Sequence, residues 1–285
     1  GCLIIPAPPE TVACMSEHRP VGVFDSGVGG LSIVREMRRR MPGLDIVYVS
    51  DAHHLPYGEK SARFVRERAF VLADFLLCRG VRALVIACNT ATAAAARELR
   101  ERLALPIVGI EPAVKPAAQA TRSGIVGILA TASTLQSVRY EELLRRFGQF
   151  TRVLAQPASG LVECVEAGDL DGPRTRALLA RYLWPLLEAG ADTIVLGCTH
   201  YPFLLPAIRD FVGADVRIID PGDAVARRVE DVLGGDGGGS GTLCCFSSGD
   251  VVQQQALMSR LLGEAVVVLP LPQYPGMHRR EASSG

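Results

Sequence analysis

The sequence predicts an α/β fold. It is expected to form two similar domains, each a mostly parallel sheet flanked by helices, with an active site in the interdomain cleft. Three observations carry that expectation. Short apolar strand segments alternate with helical segments from Val21 to Leu269, the order that builds parallel sheets. The strands are continuous apolar runs without polar alternation, as expected where helices cover both faces. Two passages also repeat one plan: ALVIACNTAT at 83–92 parallels TIVLGCTHYP at 193–202, and VGVFDSGVGG from 21 is echoed by VGILATASTL from 126.

Size and charge narrow the function classes. The 285 residues, 48% hydrophobic and 21% charged, can bury the core of one large or two small domains. Lys+Arg and Asp+Glu each number 30, so no basic excess points to nucleic acid. No apolar run reaches the roughly 18 to 20 residues of a membrane span. Residues 1–19 are proline-rich and lack a basic leading region, and they read as a loose extension, not a secretory signal. Eight cysteines, at 2, 14, 78, 88, 164, 198, 244 and 245, form no CxxC pair or Cys/His cluster. That argues against a zinc site and for free thiols in a cytoplasmic protein.

The first strand, Val21 to Phe24, runs into DSGVGG and then a helix carrying Leu31, Val34 and Met37 at helical spacing. The glycines permit a tight turn and close backbone approach. Asp25 either caps this helix or points into a cleft at the carboxyl edge of the sheet. Asp45 to Ser50 is the second strand, and DAHHLPYGEKS a polar loop in which His53 and His54 read as solvated. Ser61 to Arg79 is a long helix. The LVIAC strand ends at Cys88 beside a helix start, where orphan N–H groups favour a thiolate. Pro106 to Ile110 is a short buried strand.

The alternation then repeats. Gly124 to Leu129 is a strand, ATAST a polar turn, and a helix continues through Phe147. Thr151 to Ala155 reads as a strand, and Ala158 to Ala167 and Pro173 to Ala189 as helices. Asp192 to Gly197 is a strand that ends at Cys198. Phe203 to Phe211 is a helix, Val216 to Asp220 a strand, and a helix runs from Pro221 to Leu233. Residues 234–241 (GGDGGGSG) read as a flexible loop. Strands at Leu243 to Phe246 and Ala265 to Leu269 flank a helix at Val251 to Leu262.

Two related domains facing each other bring two strand-end cysteines to opposite sides of one cleft, and such clefts are common ligand sites. A reaction that takes a proton from one face of a carbon and returns one to the other needs two acid/base groups with exchangeable roles. One thiolate and one thiol satisfy it without a metal or organic cofactor. A buried structural role is the alternative for each cysteine taken singly.

At this point the chain resembles the glutamate racemases of the cofactor-independent aspartate/glutamate racemase superfamily. The matching residues are Phe24-Asp25-Ser26-Gly27-Val28-Gly29-Gly30, Pro56-Tyr57-Gly58, Cys88-Asn89-Thr90-Ala91-Thr92 and Gly197-Cys198-Thr199-His200-Tyr201-Pro202. The resemblance implies interconversion of L- and D-glutamate for peptidoglycan, with Cys88 and Cys198 as proton carriers. It assigns substrate contacts to Asp25, Ser26, Tyr57, Gly58, Asn89, Thr90, Thr199 and His200. Asp25 and His200 are expected to assist their cysteines, and Glu163 to belong to the same supporting group. Thr131 and Thr134, in a turn where Ser133 replaces a common glycine, are expected to reach a carboxylate. The implied domains are 20–113 plus 221–270, and 114–220, with a loose tail at 271–285. No metal, cofactor, nucleic acid or membrane is expected, and a homodimer is the expected assembly.

The rivals are a racemase of another acidic amino acid such as aspartate, a thiol-redox protein, and a non-catalytic two-domain amino-acid-binding protein. His200 favours glutamate over aspartate, because the aspartate branch tends to carry glutamate at that position.

Overall fold

A computed structural model describes residues 19–148 and 151–272. The extension expected at 1–19 and the tail expected at 271–285 lie outside these residues, apart from Arg19, Leu271 and Pro272. One sheet is built from β1 (Val21–Asp25), β2 (Ile46–Ser50), β3 (Ala83–Ile86), β4 (Ile107–Gly109), β9 (Leu243–Ser247) and β10 (Val268–Pro270). Its order is β10-β9-β2-β1-β3-β4, parallel throughout. The second sheet holds β5 (Ile125–Ala130), β6 (Arg152–Pro157), β7 (Thr193–Gly197) and β8 (Arg217–Ile219), in the order β6-β5-β7-β8, again all parallel.

The two orders explain the sequence echo. Laying β2-β1-β3-β4 over β6-β5-β7-β8 puts β5 where β1 stands and β7 where β3 stands. The strands that deliver Cys88 and Cys198 are therefore topological equivalents.

Alternate residues of the first sheet face opposite ways, as a pleated strand requires. Val21, Val23, Tyr48 and Val85 pack with Val34 and Met37 of α1 (Leu31–Arg40), Val225 and Val229 of α10 (Gly222–Val232), and Met258 of α11 (Val251–Leu262). Phe24, Val49, Leu84 and Ile86 pack with Leu72 and Leu76 of α2 (Ala62–Cys78) and Ala91 and Leu99 of α3 (Asn89–Arg102). In the second sheet, Val126, Ile128 and Val195 meet Val114 and Ala117 of α4 (Val114–Ala120), with Tyr140 and Leu143 of α6 (Val138–Phe147). The opposite face carries Leu129, Ile194 and Leu196 against α7 (Leu161–Glu166), α8 (Pro173–Glu188) and α9 (Leu205–Val212). That last group belongs to the same apolar cluster as the α1 side of the first sheet, so one continuous core joins the domains.

Several expectations change. The helix expected through Phe147 is two helices, α5 (Ala132–Leu135) and α6, because the Ser137 side chain accepts the Tyr140 N–H and starts a new helix. Helix α7 starts at Leu161 and not at Ala158, after Gly160 turns the chain at φ 88°. Helix α4, which carries Pro116 and has no clear apolar period, has no counterpart among the expected helices. The 234–241 loop is tied down: Asp45 Oδ1 accepts the N–H groups of Ser240 and Thr242, and Gly241 N–H donates to the Gly43 carbonyl. Glycine content alone did not reveal this anchor. Cys88, Cys164, Cys198 and Cys245 are free thiols, whereas Cys244 is disulfide-bonded, a departure from the free thiols expected throughout. His54 is not simply solvated, since its Nδ1 lies 3.0 Å from Asp51 Oδ1. Among the described residues no helix is long and apolar enough to cross a membrane.

Candidate active site

The two thiols line one pocket between the two sheets. Cys88 follows β3 and caps α3: its backbone is extended and its Sγ accepts the Ala91 N–H at 3.4 Å. Cys198 follows β7 and is succeeded by a 3-10 turn over Tyr201–Leu204. Their exposures are 5% and 7%.

The surroundings of Cys88 overturn one electrostatic expectation. Burial is the largest influence and pushes its thiol well above the ordinary range. The Asp25 charge adds to this, and the Ala91 N–H opposes it too weakly. Desolvation of a fully enclosed sulfur outweighs a single helix-start amide.

Asp25 follows neither of its two expected readings: helix α1 has no side-chain cap, and Asp25 is not among the residues that line the pocket. Its Oδ2 accepts the Gly30 N–H at 2.6 Å, and its Oδ1 accepts the Ser26 N–H at 2.7 Å. The Thr199 hydroxyl donates to Oδ2 across the domain boundary at 3.3 Å. The carboxyl is fully buried, and burial raises its pKa despite the opposing charge of His200. Ser26 stands between the halves of this arrangement, its Oγ 3.9 Å from Cys88 Sγ.

On the other side, His200 Nδ1 lies 3.8 Å from Cys198 Sγ, and its Nε2 lies 2.7 Å from Glu166 Oε1. Burial would lower the imidazole pKa, but the Cys198 and Glu166 interactions outweigh it and raise the value well above the ordinary one. The carboxylate on His200 is thus Glu166, not Glu163. Both lie on α7, three residues apart, and only Glu166 reaches the histidine. The same Glu166 oxygen accepts the Val28 N–H at 2.7 Å.

That contact explains the glycine-rich turn. A Cβ at Gly27 would lie 2.0 Å from Glu166 Oε1, and one at Gly29 would lie 2.3 Å from His200 Nδ1. The glycines admit the second domain's acid and histidine against the first domain's backbone. The close approach predicted from sequence is real, but it serves domain contact.

Asn89, Thr90, Thr131, Thr199, Tyr57 and Gly58 also line the pocket, together with Ser26 and His200. Asn89 is the most suggestive: both polar atoms of its buried side chain lack a hydrogen-bond partner, and such groups call for one. The Thr90 hydroxyl meets those of Thr131 and Thr134 across the domains at 2.9 and 3.3 Å, and these two meet each other at 2.9 Å. Of the three, Thr134 does not line the pocket. The Tyr57 hydroxyl donates to Asp51 Oδ2 at 2.6 Å, so the tyrosine offers the pocket its ring. Pro56, Val162 and Gly197 complete the lining; Pro56 and Gly197 belong to the matching motifs without an expected site role, and Val162, an apolar wall position, carries no chemical signature in the sequence. Glu166 was also missed, although it is visible in VEAG one turn beyond the expected acid.

The chain also resembles known proteins over most of its length. The chain is 55% identical over 254 residues to a glutamate racemase of Ectopseudomonas mendocina, covering 87% of this chain and 97% of the relative. A glutamate racemase isoform of Bacillus anthracis, RacE1, superposes with a TM-score of 0.82 at 33% identity, over 90% of this chain and 98% of that one. A glutamate racemase of Escherichia coli, solved with L-glutamate and the activator UDP-MurNAc-ala, superposes at 0.81 and 34% identity, over 89% and 98%. The Asp/Glu/Hydantoin racemase family model matches residues 29–229, a span that takes in both strand-end cysteines, and the chain belongs to that family.

Proposed function

We propose that this chain is a glutamate racemase that interconverts L- and D-glutamate by two-base proton transfer at Cα and supplies D-glutamate for peptidoglycan. The observation that carries the reading is the pair of buried thiols at equivalent ends of β3 and β7, facing one pocket. Cys88 and Cys198 take and return the α-proton on opposite faces. Asp25 and Ser26 attend Cys88, and the Glu166–His200 pair attends Cys198. Asn89, Thr90 and Thr199 hold the α-carboxylate and amino end, with Tyr57, Gly58 and Thr131 as further wall contacts.

The chemistry follows from enclosure. The α-proton of an amino acid is weakly acidic, so the carbanion-like state must be stabilised by hydroxyl, amide and backbone donors aimed at the carboxylate. A site closed between two domains strengthens those interactions by excluding water. His200, hydrogen-bonded on both ring nitrogens, exchanges a proton with Cys198 without leaving its place.

The reading includes a division into 20–113 plus 221–270 and 114–220, which sheet membership supports. A homodimer and a cytoplasmic location complete it. The deciding experiment follows the α-proton in deuterated water with each enantiomer. Deuterium entry with inversion supports racemisation; binding without exchange points to a non-catalytic receptor, and preference for aspartate redirects the substrate. Sedimentation of the full chain tests the dimer.

A further inference from the structure

The turn that carries Tyr57 and Gly58 is fastened by groups that lie outside the pocket. From the first domain, the Tyr57 hydroxyl donates to Asp51 Oδ2 at 2.6 Å. That carboxylate is fully buried. It also accepts from Arg68 Nε and Nη2, each at 2.9 Å, and from the Ser248 hydroxyl at 2.9 Å. Arg68 lies on α2 and Ser248 follows β9, so Asp51 sits where distant segments of that domain meet. From the second domain, the Ser133 hydroxyl donates to the Gly58 carbonyl at 2.5 Å. The approach is tight, since a Cβ at Gly58 would lie 2.9 Å from Thr131 Cβ.

Gly58 and Ser133 are half-buried and adjoin exposed Glu59 and Lys60, whereas Asp25, Ser26, Thr199 and His200 are buried. The Gly58–Ser133 contact therefore lies at the solvent-facing rim of the pocket. Neither fastening group is a hydrogen-bond partner of a thiol: Cys88 has Ala91 and Ser26, and Cys198 has His200.

We infer that Asp51 and Ser133 are positioning residues for the Tyr57–Gly58 wall, Asp51 acting through the Tyr57 hydroxyl and Ser133 through the Gly58 carbonyl, and that together they set how tightly the pocket holds glutamate. The substrate in that statement rests on the racemase reading. Loosening the wall removes binding shared by ground and transition states, which raises KM and spares kcat. One neutral hydrogen bond is equivalent to a factor of about twofold to tenfold in an equilibrium.

The test uses the full chain and both glutamate enantiomers. Ser133→Ala is expected to raise KM about threefold to tenfold with kcat changed by less than about twofold, and Ser133→Thr, which keeps the hydroxyl, to restore the parent value. Tyr57→Phe and Asp51→Asn each raise KM, and the double variant is no worse than the more affected single one, because the same link is cut twice. A turnover-free arm measures iodoacetamide labelling of the free protein. Ser133→Ala speeds labelling of Cys88 and Cys198 but not of Cys245, a free thiol buried within the six-stranded sheet. Unchanged KM, additive Asp51 and Tyr57 effects, or equal acceleration at Cys245 overturns the inference. If Asp51→Asn does not fold, Tyr57→Phe and Ser133→Ala decide. A parent protein that racemises neither enantiomer sinks the racemase reading instead, and the labelling ratio then decides whether Ser133 holds the rim.

Discussion

Replacing Glu166 by glutamine keeps the side chain's shape and removes its charge. In the parent, Glu166 Oε1 is 2.7 Å from His200 Nε2, with side-chain exposures of 13% and 2%, so solvent screens the pair little. A hydrogen bond to a charged group contributes about 1.5–3 kcal/mol, and about 1.4 kcal/mol is a factor of ten. If that stabilisation of the imidazolium is needed for proton delivery at Cys198, kcat/KM falls about 10- to 100-fold. The two enantiomers have equal free energy, so the fall must be the same in both directions. Exchange without inversion should persist for the enantiomer whose proton faces Cys88. The sign of the pH effect is also fixed. Glu166 helps to raise the His200 pKa, so its loss moves the alkaline limb of kcat/KM to lower pH. Circular dichroism of racemisation across the neutral to alkaline range reads both quantities, and Glu163→Gln, which leaves the His200 contact intact, should stay near the parent. An unmoved alkaline limb with kcat/KM within about twofold of the parent would refute the assignment of Glu166.

Three further outcomes are expected. Cys88→Ser and Cys198→Ser should each nearly abolish racemisation, and alkylation of the parent thiols should be slowed by glutamate; full racemase activity in either single variant would defeat the two-base mechanism. Gly29→Ala should cost most of the activity and several degrees of thermal midpoint, because its Cβ would stand 2.3 Å from His200 Nδ1; a calorimetric scan and a racemisation assay check this together. Acid should weaken the fold through Asp51. Burial would raise its pKa, but hydrogen bonds from His54, Arg68 and Tyr57 hold it well below the ordinary carboxylate range. A depressed carboxylate stabilises the fold above its unfolded pKa of about 3.9 and loses that contribution as pH falls toward its folded value. Urea midpoints should therefore drop below about pH 4, and Asp51→Asn should flatten that dependence.

Much of this site was legible because its marks are local. Strand, cysteine and hydroxyl or amide residue recur at Cys88 and Cys198, and two apolar strands at equivalent positions of two sheets put both sulfurs at one pocket. What escaped depends on chain segments meeting. Glu163 and Glu166 are equally acidic and share one helix, and only the approach of β7 selects Glu166. The thiol environment of Cys88 also misled, since a helix start is visible in sequence whereas the depth of burial that outweighs it is not. Serine at 133 looked like a local turn substitution, but its partner is 75 residues away.

The glycine turn over residues 27–30 has a bearing on how such chains can be recombined. Glu166 receives the Val28 backbone and His200 on one oxygen atom, and the space for it exists only because residue 27 has no side chain. The halves are thus not free modules, despite their repeated topology. A hybrid that took its first half from one relative and its second from another would inherit a seam at this oxygen. It should work only where the turn and helix α7 fit as though they came from a single parent.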